Sequence, residues 1–398
     1  MLVREMVKAM KRIEVIGKAM SGQLKWYQAA EILDVSPRQL RRIAARWKEQ
    51  GEQGLFDKRR CGPSPRHANA SEVELVRQLY RDRYFDFNVQ HFHEMMCEYH
   101  GLRRSYTWTK NVLQDNGLVV RAKKRGQHRR RRPRRPMVGM MMHLDASTHQ
   151  WFGADGKHMD LLAVLDDANS EVYALHLVEQ ESTESCMSIL RQVVEIKGIF
   201  GELYTDRASH FCFTPEAGKG PDKSVKTQLG RAMEQLEIKM IFGRSPQARG
   251  RGERLWETIQ GRLPQELRVA GITTAPEAQA YITKRFLPRL NAVVMQDAAE
   301  QTSAFVPATA IDLDRVFCLR EDRTVDNDNT VRFQNKRLQI PKNNQRATFV
   351  GCVVKVELLL NGKISIWYGH HLLGRYNADG CLQPTSVKYA PPAQAEAR

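Results

Sequence analysis

Between Arg121 and Pro136, ten of sixteen residues are Lys or Arg and none is acidic. Such a run repels itself and has almost no apolar surface to bury, so it cannot form part of a core and must separate folded parts on either side. The 398-residue chain is therefore expected to be multidomain. This block alone carries +10 of the formal net charge of +17, and its flanks are close to neutral with ample apolar content, 42% over the whole chain. Weaker breaks fall at Cys61 to Ala70, where Gly62, Pro63 and Pro65 cluster, and near Pro307 to Leu313. These breaks predict a helical domain at 1–60, a second at 66–120, a basic linker at 121–136, a core at 137–306, a small domain at 313–380 and a disordered tail at 381–398.

Several classes of protein are excluded at this stage. The seven cysteines are odd in number and scattered, with no Cys-x-x-Cys pair, which argues against a disulfide scaffold or a zinc ribbon and fits a reducing cytoplasm. No run of 18 apolar residues exists, and the first twenty residues intersperse Lys and Arg with apolar positions, so no membrane partner is expected. A basic yet well-cored chain suits a polyanionic partner.

The first 60 residues read as three short helices. In the last, Ser36 is placed to cap, Pro37 suits the first helical position, and Leu40, Ile43, Ala44 and Trp47 recur at helical spacing before Gly51. Arg38, Arg41 and Arg42 lie off that apolar face. A preceding helix, Trp26 to Leu33, joins it through the short turn Asp34-Val35. Two helices, a tight turn and basic residues on the second predict a helix-turn-helix whose second helix enters the DNA major groove. From Ser71 to Gly117 the logic repeats. Ser71 and Glu74 are spaced for a capping box, Phe92, Met95, Met96 and Tyr99 keep helical spacing, Ser105 can cap a further helix, and Arg103 and Arg104 stand at its mouth. A plain helical spacer would give the same pattern.

From Met137 the period changes to that of strands. Met137 to Leu144, His158 to Leu165 and Glu171 to Val178 are apolar runs separated by turn residues, and helix and strand signals then alternate through Leu267. Three antiparallel strands followed by αβαβα is the order of an RNase H-like mixed sheet. In that order Asp145 would end the first strand, Asp206 the fourth, and Glu253 would start the helix after the fifth, bringing three hard oxygen donors together. Such a set suits Mg²⁺ or Mn²⁺, and a pair of ions about 4 Å apart can clamp an in-line phosphoryl displacement. Asp160, Asp166 and Asp167 read as turn or capping residues.

Three stretches carry a resemblance. His143-Leu-Asp145-Ala-Ser-Thr-His149-Gln-Trp151-Phe152, Tyr204-Thr-Asp206-Arg-Ala-Ser209-His210-Phe211 and Ser245-Pro-Gln-Ala-Arg249-Gly-Arg251-Gly-Glu253-Arg254 resemble the three motifs of the bacterial insertion-sequence transposases with a DDE integrase core, the ISNCY type in particular. The resemblance implies a DNA transposase in which Asp145, Asp206 and Glu253 hold Mg²⁺, Arg249 and Arg251 face a phosphate backbone, and a freed 3′-OH attacks target DNA. It also implies at least a dimer on double-stranded DNA, because two ends must be joined. Arg207 departs from the Asn common in relatives. The 46 residues between Asp206 and Glu253 exceed the compact spacing, with the excess read as a surface insertion at Phe213 to Val225. His149 and His210 are placed either to orient a phosphate or to serve the structure. No phosphate-binding Gly-x-x-x-x-Gly-Lys loop and no nucleophile elbow is present. His91, His93 and Cys97 lie close together without a matched second ligand pair, so a helix surface with a buried thiol is expected rather than zinc.

After Pro307, alternating runs at Thr330 to Phe333, Arg337 to Ile340, Cys352 to Leu360 and Lys363 to Tyr368, the last two flanking Asn361-Gly362, predict a small β-barrel. Lys336, Arg337, Lys342 and Arg346 could touch DNA there. Within the linker, Arg129, Arg130, Arg131 and Arg132 are expected to lie along phosphates. Two other readings compete with the transposase: a DNA-binding regulator on a non-catalytic core, and a stand-alone structure-specific nuclease.

Overall fold

The computed structural model describes residues 3–55, 68–121, 133–153, 156–214, 222, 225–243, 250–343 and 346–383. By internal contacts the chain divides into two compact units, Met1–Gln78 and Leu79–Arg398.

The first unit contains α1 (Val3–Met20), α2 (Trp26–Ile32), α3 (Pro37–Gln50) and a 3₁₀ turn, Gly51–Leu55. Its core joins Val15, Ile16 and Ala19 to Ala29, Ala30, Leu40, Ile43, Ala44 and Leu55. Ser36 caps α3 as expected, its hydroxyl oxygen accepting the Gln39 N–H at 3.2 Å, and Pro37 takes the first turn, where a missing N–H costs nothing. The turn before it needs a left-handed residue, which is Asp34 at φ 52°. Arg38, Arg41 and Arg42 are exposed on the outer face of α3, beside a shallow groove that they line with Ser36, Pro37 and Ala45.

Helix α4 (Ala70–Asp82) crosses the division between the units. The capping box expected of Ser71 and Glu74 does not form. The helix starts two residues earlier than a Ser71 cap would set it, at Ala70; the Glu72 and Val73 amides donate to the Asn69 carbonyl, and Glu74 pairs with Arg77 at 2.7 Å. Then follow α5 (Val89–Tyr99), capped by Asn88, and α6 (Tyr106–Asp115), capped by Ser105 as expected. Helix α5 is fastened to later helices by polar bonds: Asn88 donates to the Gly261 carbonyl at 3.3 Å, Arg262 pairs with Glu94, and the fully buried His91 meets Glu266 at 2.9 Å.

The central element of the second unit is a five-stranded sheet in the order β3-β2-β1-β4-β5, built from β1 (Met141–His149), β2 (Met159–Asp166), β3 (Val172–Val178), β4 (Glu202–Thr205) and β5 (Lys239–Phe242). The first three strands are antiparallel neighbours, and β4 and β5 add in parallel, so the sheet is mixed. Side chains alternate faces along a strand. Met142, Leu144, Leu162 and Val164 therefore pack against α7 (Thr183–Lys197) and α8 (Gln228–Gln235). Leu161, Ala163 and Leu165 face the other layer: α9 (Gly250–Gln260), α10 (Leu263–Ala270), α11 (Ala275–Tyr281), the π-helical turn Ile282–Phe286 and α12 (Leu287–Val294). Strand β2, covered on both faces, is buried at all eight positions. The helix that begins beside Glu253 is interrupted after Gln260 and a new one starts at Leu263, with Pro264 in its first turn.

Two residues of the basic tract belong to this body. Arg134 donates to the Asp167 and Ala168 carbonyls and to the Ser170 hydroxyl, while the Arg135 amide donates to Asp167 Oδ2 and its guanidinium pairs with Glu202. The expected linker thus ends as a strap across the β2–β3 turn, because that turn offers carbonyls and a carboxylate that a guanidinium satisfies. Asp160, expected in a turn, lies inside β2, where its carboxylate takes the Glu181 amide at 2.7 Å.

A short helix α13 (Leu313–Val316) leads into β6 (Cys318–Thr324), β7 (Thr330–Phe333), β8 (Lys336–Gln339), β9 (Val353–Leu359), β10 (Ile364–Tyr368) and β11 (His371–Tyr376). These do not close into the expected barrel. A four-stranded sheet, β11-β10-β9-β6, packs on the separate two-stranded β7-β8 hairpin around Val331, Phe333, Leu338, Val354, Val356 and Ile366. Closure would require β6 to pair on its outer side. Arg320-Glu321-Asp322-Arg323 runs along that strand, a charged edge that discourages further pairing. Val316 and Phe317 join the core cluster beneath α8, and Gln228 exchanges two hydrogen bonds with the Arg320 backbone.

Candidate active site

Asp145 is the fifth of nine residues in β1, not its last, because β1 continues to His149 against β2. On its other side β1 pairs with β4 only from Met141 to His143, which faces Tyr204. Continuing that parallel register by two residues sets Asp206, the first residue beyond β4, abreast of Asp145. Where β4 ends, the sheet opens into a small pocket lined by His143, Leu144, Asp145, Tyr204, Thr205, Asp206 and Gly252. Strand alternation puts His143 and Asp145 on the face opposite Met142 and Leu144, toward α9.

Helix α9 lies along that face with one stripe at four-residue spacing. A Cβ on Gly252 would stand 3.1 Å from Asp145 Oδ2. One turn later the Trp256 indole N–H donates to the same oxygen at 3.1 Å, and another turn on, Gln260 donates to the Ser147 hydroxyl at 2.8 Å. Asp206 Oδ1 accepts the Ala208 amide at 2.8 Å, which fixes the chain just after the strand. Glu253 is in the first turn of α9, next to Gly252; its side chain is exposed and is not part of the pocket's lining. Asp145 and Asp206 are half-buried. Three carboxylates thus come from a strand, a strand end and a helix start.

Two acids read as turn residues do more than cap. Asp167 pairs with His143 at 2.8 Å beneath the pocket, and Asp166, fully buried, accepts the Gly139 and Ala168 amides and the Tyr173 hydroxyl. Burial outweighs those bonds and raises the Asp166 carboxyl above its ordinary range. His149 stacks edge-on against Trp151, away from the pocket lining, and burial followed by repulsion from His158 lowers its pKa. His210 bonds Glu181 at 3.1 Å. His93 meets the Thr109 hydroxyl, and Cys97, expected to be buried, is exposed.

The structure leaves several DNA candidates dispersed. Arg103 is exposed, whereas Arg104 lies 5.6 Å from the Trp108 ring. Arg129, Arg130, Arg131, Arg132 and Arg249 fall outside the described residues, as does most of the insertion at Phe213 to Val225. Arg251 is in α9, but its side chain also falls outside the described set. Arg207 is exposed. Sequence reasoning missed Trp256 and Gln260, whose spacing of four from Gly252 was the available signal.

A mixed sheet presenting one carboxylate on a strand and a second just past the end of its parallel neighbour, with a third at the start of the covering helix, defines an acid-bearing α/β core that follows a helix-turn-helix unit in sequence. Residues 11–64 match the family model described as a helix-turn-helix domain. The chain is 30% identical to the transposase y4bF of Sinorhizobium fredii over 375 residues, 91% of this chain and 79% of that one. It is 25% identical to the transposase for insertion sequence IS1202 of Streptococcus pneumoniae, across 82% of this chain and 77% of that one. The chain belongs to the transposase family. Among solved structures, the HTLV-2 integrase catalytic core domain in complex with magnesium is 13% identical, with a TM-score of 0.27 over 37% of this chain and 88% of that one, a likeness that carries no argument.

Proposed function

We propose that this chain is a DNA transposase that binds the ends of a mobile element, cleaves to free a 3′-OH and joins that hydroxyl to target DNA. Asp145, Asp206 and Glu253 are its catalytic carboxylates, on an RNase H-like core of the DDE kind. The observation that carries the reading is the juxtaposition of Asp145 and Asp206 at the level where β1 outruns β4, directly under the start of the helix that bears Glu253.

The donor set fits a divalent cation of the hard class: all three groups offer carboxylate oxygens and none offers sulfur or imidazole, which suits Mg²⁺ or Mn²⁺. When bound, such ions supply positive charge to a phosphodiester at the moment of displacement. The chain's own residues prepare the place. Trp256 holds Asp145 in one orientation, the Ala208 amide holds Asp206, and Gly252 keeps Asp145 unobstructed.

For DNA, Arg38, Arg41 and Arg42 form an exposed cationic face on the second helix of the helix-turn-helix, suited to the major groove and its phosphates. The basic residues of 121–132 add sequence-independent affinity. No described helix is long and apolar enough to cross a membrane. A cytoplasmic homo-oligomer assembled on paired ends is the working form.

The test is 3′-end nicking and joining on labelled DNA bearing element ends, in Mg²⁺ and in Mn²⁺, for the wild type and Glu253→Gln. Activity confined to the wild type is the expected result. A wild type that binds ends yet never cuts them in either metal would put a DNA-binding regulator in place of the enzyme.

A further inference from the structure

We propose that Glu181, Cys186 and His210 form a Zn²⁺ site, chemically different from the carboxylate pocket. Glu181 and Cys186 flank the start of α7, five residues apart, and His210 comes from the segment after β4. Their ligand atoms nevertheless lie within 4.8 Å of one another. A single oxygen, Glu181 Oε1, stands 3.5 Å from Cys186 Sγ and 3.1 Å from His210 Nε2. Around tetrahedral Zn²⁺, with Zn–O and Zn–N near 2.0–2.1 Å and Zn–S near 2.3 Å, the corresponding separations are about 3.5 Å and about 3.3 Å. The two separations that involve Glu181 already have nearly the spacing of a zinc coordination shell, and the third, between Cys186 and His210, lies within 4.8 Å.

The donor types narrow the ion. One sulfur, one imidazole nitrogen and one carboxylate oxygen make a borderline set that suits Zn²⁺ and is poorly matched to Mg²⁺ or Ca²⁺. Cys186 is buried, whereas Glu181 and His210 are partly exposed, so a cation can approach from one side, with its fourth position open to water. The Cys186 thiol also lies in the first turn of α7, an end that favours a thiolate once a cation is present. Without one, burial and the facing Glu181 carboxylate keep it protonated. Coordination forms the Zn–S bond and sends the thiol proton to solvent. The ion would tie the segment that follows Asp206 to the start of α7.

The experiment uses the full-length chain, stripped with a chelator and titrated with Zn²⁺ and Co²⁺. One Zn²⁺ per chain is expected to be retained through desalting in excess Mg²⁺, and Co²⁺ should produce a near-ultraviolet thiolate-to-metal band. That band should vanish in Cys186→Ser, and Zn²⁺ retention should be lost in both Cys186→Ser and His210→Ala. Both should persist in Asp145→Asn and in Cys97→Ser. Because Cys186 is fully buried, circular dichroism checks its variant, and the partly exposed His210→Ala provides the second arm. A folded wild type with no thiolate band, or a band unchanged in Cys186→Ser, would overturn the site. Neither readout involves DNA cleavage, so the carboxylate reading and the zinc reading can fail separately.

Discussion

At the scale of single residues, the pocket depends on what α9 leaves out as much as on what it supplies. Gly252 must stay small because a methyl group there would press on Asp145 Oδ2 at 3.1 Å. Gly252→Ala is expected to lower Mg²⁺-dependent end cleavage by roughly tenfold to a hundredfold, the scale of displacing a reacting group by a fraction of an ångström to an ångström. The thermal midpoint should barely move, since alanine favours the helix. Unchanged nicking would mean that Asp145 does not act where the fold holds it. Trp256→Phe keeps an aromatic ring in the buried place and removes the indole N–H from Asp145, together with part of the indole's packing volume. About tenfold slower cleavage with unaltered DNA binding is expected, measured as a fall in kcat, because the bond orients a carboxylate and touches no DNA. The proposed acids, Asp145, Asp206 and Glu253, stand out in the sequence through their three motifs. Their two α9 supports do not, because a glycine and a tryptophan at helical spacing look like any packed helix until the strand beneath them is known.

At the scale of elements, legibility followed how local the cause was. The cap and proline of α3 act within four residues, and the structure keeps both. Ser36→Ala should cost the first unit about 1 kcal/mol, read as a lower urea midpoint for that unit. The start of α4 was misread because the helix begins at Ala70, two positions before a Ser71 cap would start it, and β6 was missed because its charged edge hides the strand period. The seam between α5 and α10 joins residues some 170 positions apart and left no trace in the sequence. That seam carries a pH signature. Burial would raise the Glu94 carboxyl, but hydrogen bonds from Arg262 and Gln90 together outweigh it and hold the group below its ordinary 4.5. A carboxyl lowered in the folded state stabilises the fold above its unfolded value and loses that contribution as pH falls through its folded value. Urea midpoints should therefore drop between neutral pH and the acid side of 4.5, and Glu94→Gln should flatten that share of the drop. An equal slope in the variant would show that the pair is screened by solvent.

At the scale of the whole molecule, the order of strands and helices from β1 to α9 was readable because the period of apolar residues switches at each boundary. Barrel closure was not, since it depends on which strand edges meet. The basic tract is where charge, rather than packing, decides the outcome. Its last two arginines, Arg134 and Arg135, are committed to the β2–β3 turn and to Glu202, so the share available for phosphates lies earlier in the tract. Residues 122–132 contain seven Lys or Arg. Each phosphate neutralised contributes about 0.9 to the slope of log affinity against log salt, so removing all seven can reduce that slope by up to about 6. Deleting 122–132 while retaining Arg134 and Arg135 should therefore weaken binding to specific and random duplexes alike, most strongly at low salt, and leave unchanged the end-sequence preference proposed for Arg38, Arg41 and Arg42. Fluorescence anisotropy across a salt series measures both quantities. If the deletion abolished end preference but left the slope intact, the tract would be reading sequence or geometry, and the division of labour between a cationic tether and a groove-reading helix would have to be reversed.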